Sequence, residues 1–183
     1  MKKRILVVGV MALVLVMLCV GSTYALLLSK SLSVTNTFVS GDIGLTLTET
    51  TGSKYTMVPG CEIYKNPRIT VKGGSVECWL FFKAESRDDF DSFVSCYASD
   101  GWTLLTGESQ VWWRRVEKSN TDKVFPIIKG DTLTVSENVT EEKLESLKGD
   151  LKLTFSAYAV QYEGVSTPEK AWDIIIKEME EEI

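Results

Sequence analysis

Histidine does not occur anywhere in the 183 residues. Without an imidazole there is no Ser-His-Asp triad, no Cys-His dyad and no His-ligated zinc. Positive charge is also in short supply: 20 Lys and Arg stand against 25 Asp and Glu, a net charge of −5 with a pI near 4.9. Nucleic-acid binders normally present a basic face, so that partner class is set aside. Cysteine appears four times with no C-x-x-C spacing, which removes the usual zinc and redox signatures. A G-x-S-x-G elbow, an S-x-x-K motif and a phosphate-cradling glycine loop are missing too. No catalytic residue, metal ligand or cofactor site is therefore expected. Nor does a Pro- or Ser-rich linker, an internal repeat or a low-complexity tract divide the chain.

The N-terminus carries the strongest single signal. Lys2, Lys3 and Arg4 precede an uncharged apolar run from Ile5 to Val20, and Gly21-Ser22-Thr23-Tyr24-Ala25 supplies small residues at its exit. Positive start, apolar middle and small-residue end describe a secretory signal peptide, cut after Ala25 with Thr23 at −3 and Leu26 as the new first residue. The alternative is an uncleaved anchor through residues 5–20, at the short edge of a transmembrane span. Either way the remainder, residues 26–183, is expected outside the cytoplasm as one domain, secreted or at the cell surface. Cleavage would remove Cys19 and leave Cys61, Cys78 and Cys96, an odd number. Buried free thiols, or one bridge plus a spare thiol, both fit.

Alternation with a two-residue period dominates that domain. Leu32, Val34, Asn36 and Phe38 alternate with polar residues, as do Ile43, Leu45 and Leu47 after the turn at Ser40-Gly41-Asp42. Further strands are expected at 68–72, 76–85, 111–117, 123–128, 131–136 and 151–162. Gly73-Gly74, between the first two of these, reads as a hairpin turn. In 76–85, Cys78, Leu80, Phe82 and Ala84 share one face and Trp79 and Phe81 the other. Three helices are expected. The first, 88–99, places Phe90, Phe93, Val94 and Tyr97 on one stripe, with Asp88, Asp89 and Asp91 capping it rather than binding calcium. The second, 140–148, has Thr140 as N-cap and Val139 and Leu144 as a hydrophobic staple. The third, 168–181, opens with Thr167-Pro168 and lays Trp172, Ile175, Ile176 and Met179 on one face. The fold class is all-β with short helical insertions, built from antiparallel pairs.

Chemistry-bearing clusters are few. Trp112-Trp113 followed by Arg114-Arg115 is the most conspicuous local feature. On a strand the two indoles point to opposite faces, and a ligand platform using Trp112, Arg114 or Trp79 is the functional alternative to core packing. Asn138-Val139-Thr140 matches a glycosylation sequon, which a helix cap explains equally well.

Taken in order, these segments resemble a known family. The exit Gly21 to Ala25 looks like the signal end of exported proteins cut by a SipW-type signal peptidase. Val34-Thr35-Asn36-Thr37-Phe38, Gly41, Ile43 and Leu45 to Glu49 are similar to the opening of that family's mature domain. Met57-Val58-Pro59-Gly60, Lys65-Asn66-Pro67, Gly74 to Phe81, Gly101-Trp102, Ala157 to Gln161 and Ala171-Trp172 continue the series. The chain thus resembles the TasA/camelysin-like group of Gram-positive envelope proteins. That resemblance implies an antiparallel jelly-roll β-sandwich preceded by the signal-peptide helix. It also implies one of two functions: a structural subunit of biofilm-matrix or surface fibres, or a camelysin-like surface metallo-endopeptidase. The second has no histidine to rest on. A monomeric surface module binding a sugar or peptide is a third reading.

If the first holds, the expected partners are further copies of the chain, other matrix or envelope proteins, and a signal peptidase during export. Assembly would use Leu26, Leu27, Leu28, Leu32, Val34 and Phe38. Exposed leucines on a secreted chain need cover, and an N-terminal strand can supply it by adding to the sheet edge of a neighbour. The alternative is that the strand folds back into its own domain.

Overall fold

The computed structural model describes residues 29–31, 33–36, 42–52, 54–145 and 151–181. Residues 1–25, expected to be a signal peptide and including Thr23 and Ala25, and the leucines 26–28 and 32 lie outside the described residues, as does Phe38. The described strands, in chain order, are β1 (Ser29–Ser31), β2 (Ser33–Asn36), β3 (Leu45–Thr48), β4 (Lys54–Thr56), β5 (Glu62–Tyr64) and β6 (Arg68–Val71). They continue as β7 (Cys78–Ser86), β8 (Val94–Ser95), β9 (Thr103–Leu104), β10 (Val111–Val116), β11 (Lys123–Pro126), β12 (Thr132–Val135) and β13 (Leu153–Gln161). Among the described residues two α-helices accompany them, α1 (Glu141–Glu145) and α2 (Pro168–Glu181). The expected all-β class with a few helices is what the chain forms.

A five-stranded sheet runs in the order β2-β13-β7-β10-β9. Its two central strands, β7 and β13, pair antiparallel over nine residues, from Leu153↔Ser86 to Gln161↔Cys78. Two three-stranded sheets, β11-β6-β3 and β5-β12-β8, lie across one face of it. The main core fills the space between: Leu80, Phe82, Phe155 and Ala157 from the long sheet meet Leu45, Leu47, Ile69, Val71, Ile63, Leu133 and Val135 from the short ones. The other face is not left to solvent. Trp79, Phe81, Tyr158 and Val160 form a second core with Ala171, Trp172 and Ile175 of α2. This explains why both residue parities of β7 are apolar, and why Trp112 packs on the first core while Trp113 packs on the second.

Local signals decide α2 and α1. Thr167 Oγ1 accepts the Lys170 N–H at 3.3 Å, and Pro168 occupies the first turn, where its missing N–H costs nothing. Thr140 Oγ1 accepts the Lys143 N–H at 3.2 Å, while Val139 and Leu144 are both buried. The expected continuation of this helix to 148 lies outside the described residues.

Three expectations fail. The segment 88–99 is not a helix. Only Phe90–Ser92 forms a 3-10 turn, and Val94–Ser95 leaves it as β8, paired with Val135 and Thr134 of β12. Phe90, Phe93 and Val94 are buried, but Tyr97 is 68% exposed, because an extended chain carries it away from their side. The Asp89 side chain makes no cap bond there and instead pairs with Arg87, Nε to Oδ1 at 2.9 Å. Gly73-Gly74 is not a hairpin either. β6 pairs with β3 and β11, whereas β7 belongs to the other sheet. The glycines turn the chain from one layer to the other: Gly74 has φ 89°, and a Cβ on Gly73 would lie 2.5 Å from the Asn120 carbonyl oxygen. Lastly, the pairing is not wholly antiparallel, since β2 runs parallel to β13.

Candidate functional site

The N-terminal arm and the buried charges behind it form the site with the most to explain. β2 is an edge strand held on one side by β13, in the register Ser33↔Thr154, Val34↔Phe155, Thr35↔Ser156 and Asn36↔Ala157. β1 pairs with β4, Lys30 opposite Tyr55. The arm is therefore tied by backbone ladders to the two strands that carry Phe155 and Tyr55. In the structure the strand that sequence analysis assigned to assembly folds back onto its own domain. Of the assembly residues, Val34 lies in β2; Leu26, Leu27, Leu28, Leu32 and Phe38 lie outside the described residues.

Phe155 and Tyr55 flank a lysine. Lys65 is fully buried, with Nζ 5.8 Å from the Phe155 ring centre and 5.5 Å from that of Tyr55. Its charge is met by Glu49, whose oxygens lie 2.7 and 2.6 Å from Nζ and whose side chain is only 6% exposed. Glu49 Oε1 also accepts from the hydroxyls of Thr51 at 2.7 Å and Tyr55 at 2.9 Å. The Gly52 carbonyl oxygen, 2.6 Å from the Tyr55 hydroxyl, is an alternative acceptor for the same proton. Burial pulls the Lys65 ammonium below its usual value against the pull of Glu49. Burial also pushes the Tyr55 phenol up to about 12, with Glu49 adding to the rise. A cleft of about 590 Å³ opens alongside, lined by Thr50, Thr51, Tyr55, Glu62, Tyr64 and Asn66 among others.

Sequence reading missed this network, although a signal was present. Lys65 falls in phase with the buried Ile63, Ile69 and Val71, and Glu49 in phase with Leu45 and Leu47. Two opposite charges in phase with inward side chains, one just past the end of β3 and the other just past the end of β5, are each improbable alone and explain each other as a pair.

The aromatic platform resolves into packing. Trp112 stacks on Phe82 with ring centres 4.9 Å apart and planes 10° apart, so that face is occupied. Trp79 is buried and donates its indole N–H to the Val165 carbonyl at 3.0 Å. Arg114 is the exception: its guanidinium lies over the Phe125 and Trp102 rings. Among the described residues, no group of three or more Cys, Asp and Glu side chains is placed to hold a metal ion.

Cys61, Cys78 and Cys96 are free thiols. Burial, the main cause in both cases, raises Cys78 from 9.0 to about 11 and Cys96 to about 12, while Cys61 is exposed. A thiol reagent at pH 8 is expected to modify Cys61 rapidly and the other two only on unfolding, which mass spectrometry of alkylated tryptic peptides would show. The raised values have a second consequence. Between pH 9 and about 11–12 the unfolded chain loses thiol protons that the folded chain keeps, so this contribution to stability is complete below pH 9 and is lost as pH rises through that window. Urea midpoints measured at pH 8 and pH 11 should fall accordingly, and less so in Cys78→Ala.

No family model, curated protein or solved structure matches this chain.

Proposed function

We propose that the protein is an exported structural subunit of the cell envelope or extracellular matrix, which assembles by passing its N-terminal strand to the next copy. On this reading residues 1–25 are a cleaved signal, the layered sheets form a jelly-roll β-sandwich, and no reaction is catalysed. The observation that supports it is the position of β2. It is N-terminal, lies at the edge of the sheet, and is bound parallel to β13 through four residue pairs, with no second neighbour strand among the described residues. A strand in that position can leave its own sheet and enter a neighbour's with the same ladder, so closed and exchanged forms differ little in hydrogen bonding. Head-to-tail exchange does not close on itself, and so produces a filament.

The chain beginning at Leu26 is expected to give filaments by negative-stain electron microscopy and rising light scattering on concentration. A chain lacking Leu26–Asn36 should give neither. Equal polymerisation of the two would end the proposal.

A further inference from the structure

Arg114 stands apart from the other arginines. Among the described residues Arg68 pairs with Asp131, Arg87 with Asp89 and Arg115 with Glu77. Among the same residues Arg114 has no carboxylate partner, and its buried Nε makes no hydrogen bond. In a chain with more carboxylates than cations, an unpaired and partly buried guanidinium needs a reason. Its electrostatics reflect the same isolation. Asp131 and Glu77 raise Arg68 and Arg115 above the ordinary value, whereas burial with no counter-charge lowers Arg114.

The side chain is nevertheless held in place. Its guanidinium lies 4.3 Å from the Phe125 ring centre and 5.3 Å from that of Trp102. Trp102 is fixed in turn by donating its indole N–H to the Pro126 carbonyl at 2.8 Å. Gly101, at φ 86°, leaves room for the fork, since a Cβ there would lie 3.1 Å from one of the Arg114 terminal nitrogens. Beside the fork is a cleft of about 250 Å³ lined by Arg114, Arg115, Val116, Glu117, Lys123 and Phe125. Lys123 brings a second cation, spending one donor on the Glu117 carbonyl oxygen at 2.9 Å. The Glu117 carboxylate is exposed and forms no ion pair with any of the described residues.

We propose that this cleft is a binding site for a carboxylate, taken by the Arg114 fork against the Phe125 and Trp102 rings with Lys123 alongside. A planar guanidinium held against two rings, with no carboxylate partner among the described residues, is the geometry that receives a planar, singly charged anion in two parallel hydrogen bonds. The site is independent of strand exchange, because its residues lie on β10, β11 and the segment before β9, away from β2.

The test is a titration of the full-length chain with acetate, inorganic phosphate and hexaglutamate. It is followed through the Arg114 Nε–H resonance in ¹⁵N-¹H spectra and through Trp102 fluorescence. Saturable shifts with the carboxylates are expected. Arg114→Gln should lose at least tenfold in affinity, and Arg87→Gln, which removes the same charge outside the cleft, should stay within about twofold of the parent. Tighter binding of hexaglutamate than of acetate would identify an acidic peptide segment as the source of the carboxylate; equal binding per carboxylate would identify a small acid. Phosphate binding ahead of acetate overturns the ligand assignment. The absence of any saturable shift at Arg114 overturns the site, and this readout on the unmutated chain does not depend on whether the variant folds.

Discussion

Replacing Glu49 with glutamine is expected to destabilise the fold by about 3–5 kcal/mol, because it leaves the ammonium of a fully buried lysine without a counter-charge. Two aromatic rings near Nζ soften this loss but do not replace an ion pair. The converse change, Lys65→Met, should cost less. The carboxylate it leaves behind still accepts from the Thr51 and Tyr55 hydroxyls, and it can also take up a proton. The double variant Glu49→Gln/Lys65→Met should recover most of the loss, since a buried pair exchanged for uncharged groups of similar size is often neutral. Urea unfolding of the four proteins forms a thermodynamic cycle; additive losses would show that the pair is not coupled.

The same variant carries a pH signature. In the folded state Lys65 gives up its proton more easily than in the unfolded chain, whose lysine titrates near 10.5. Below that value the unfolded state holds more protons, so stability rises with pH in this window. The gap between Glu49→Gln and the parent should therefore narrow as pH is raised toward 10.5. A gap that widens would contradict the assignment.

Truncating Phe82 to alanine is expected to cost a similar amount, about 3–5 kcal/mol. Phe82 is 1% exposed and sits where three rings converge: Trp112 stacked at 4.9 Å, Trp102 edge-on at 4.7 Å and Phe155 at 6.3 Å. Removing it opens a cavity between the long sheet and the short ones, and takes the support from under Trp102. Near-UV circular dichroism should weaken in the indole region along with the fall in the urea midpoint. A loss below about 1 kcal/mol would mean that the neighbours collapse into the gap, and that Phe82 does not hold the layers together.

Set against a total stability of about 5–15 kcal/mol for a domain, either change alone threatens folding. The two sites lie in one core, so their effects need not add. Phe155 touches both networks, flanking Lys65 on one side and Phe82 on the other.

What could be read in the sequence is what depends on neighbours along the chain. The Thr167-Pro168 start and the apolar stripe of α2 are local, and the helix spans the expected residues, Pro168–Glu181. Alternation in 76–85 and 151–162 fixed two strands and their faces, because side-chain parity on a strand follows from the backbone alone. The in-phase positions of Lys65 and Glu49 were also present, unread.

Tertiary structure decided everything that required choosing between partners. The stripe from Phe90 to Tyr97 satisfies a helical period, but Val94 and Ser95 gain more as an edge of β12 than as one more helical turn. Gly73-Gly74 permits a tight turn without specifying what the turn joins, and the sheets on either side set it as a corner between layers. Whether β2 pairs parallel or antiparallel is likewise invisible in its own residues. β13, whose other edge is taken by β7, offers one free ladder, and the arm fills it in the parallel sense. Arg114 makes the same point for a side chain. The sequence places it on a strand beside Trp112, and only the approach of Gly101, Trp102 and Phe125 from two other segments holds its fork rigid and leaves it without a counter-charge.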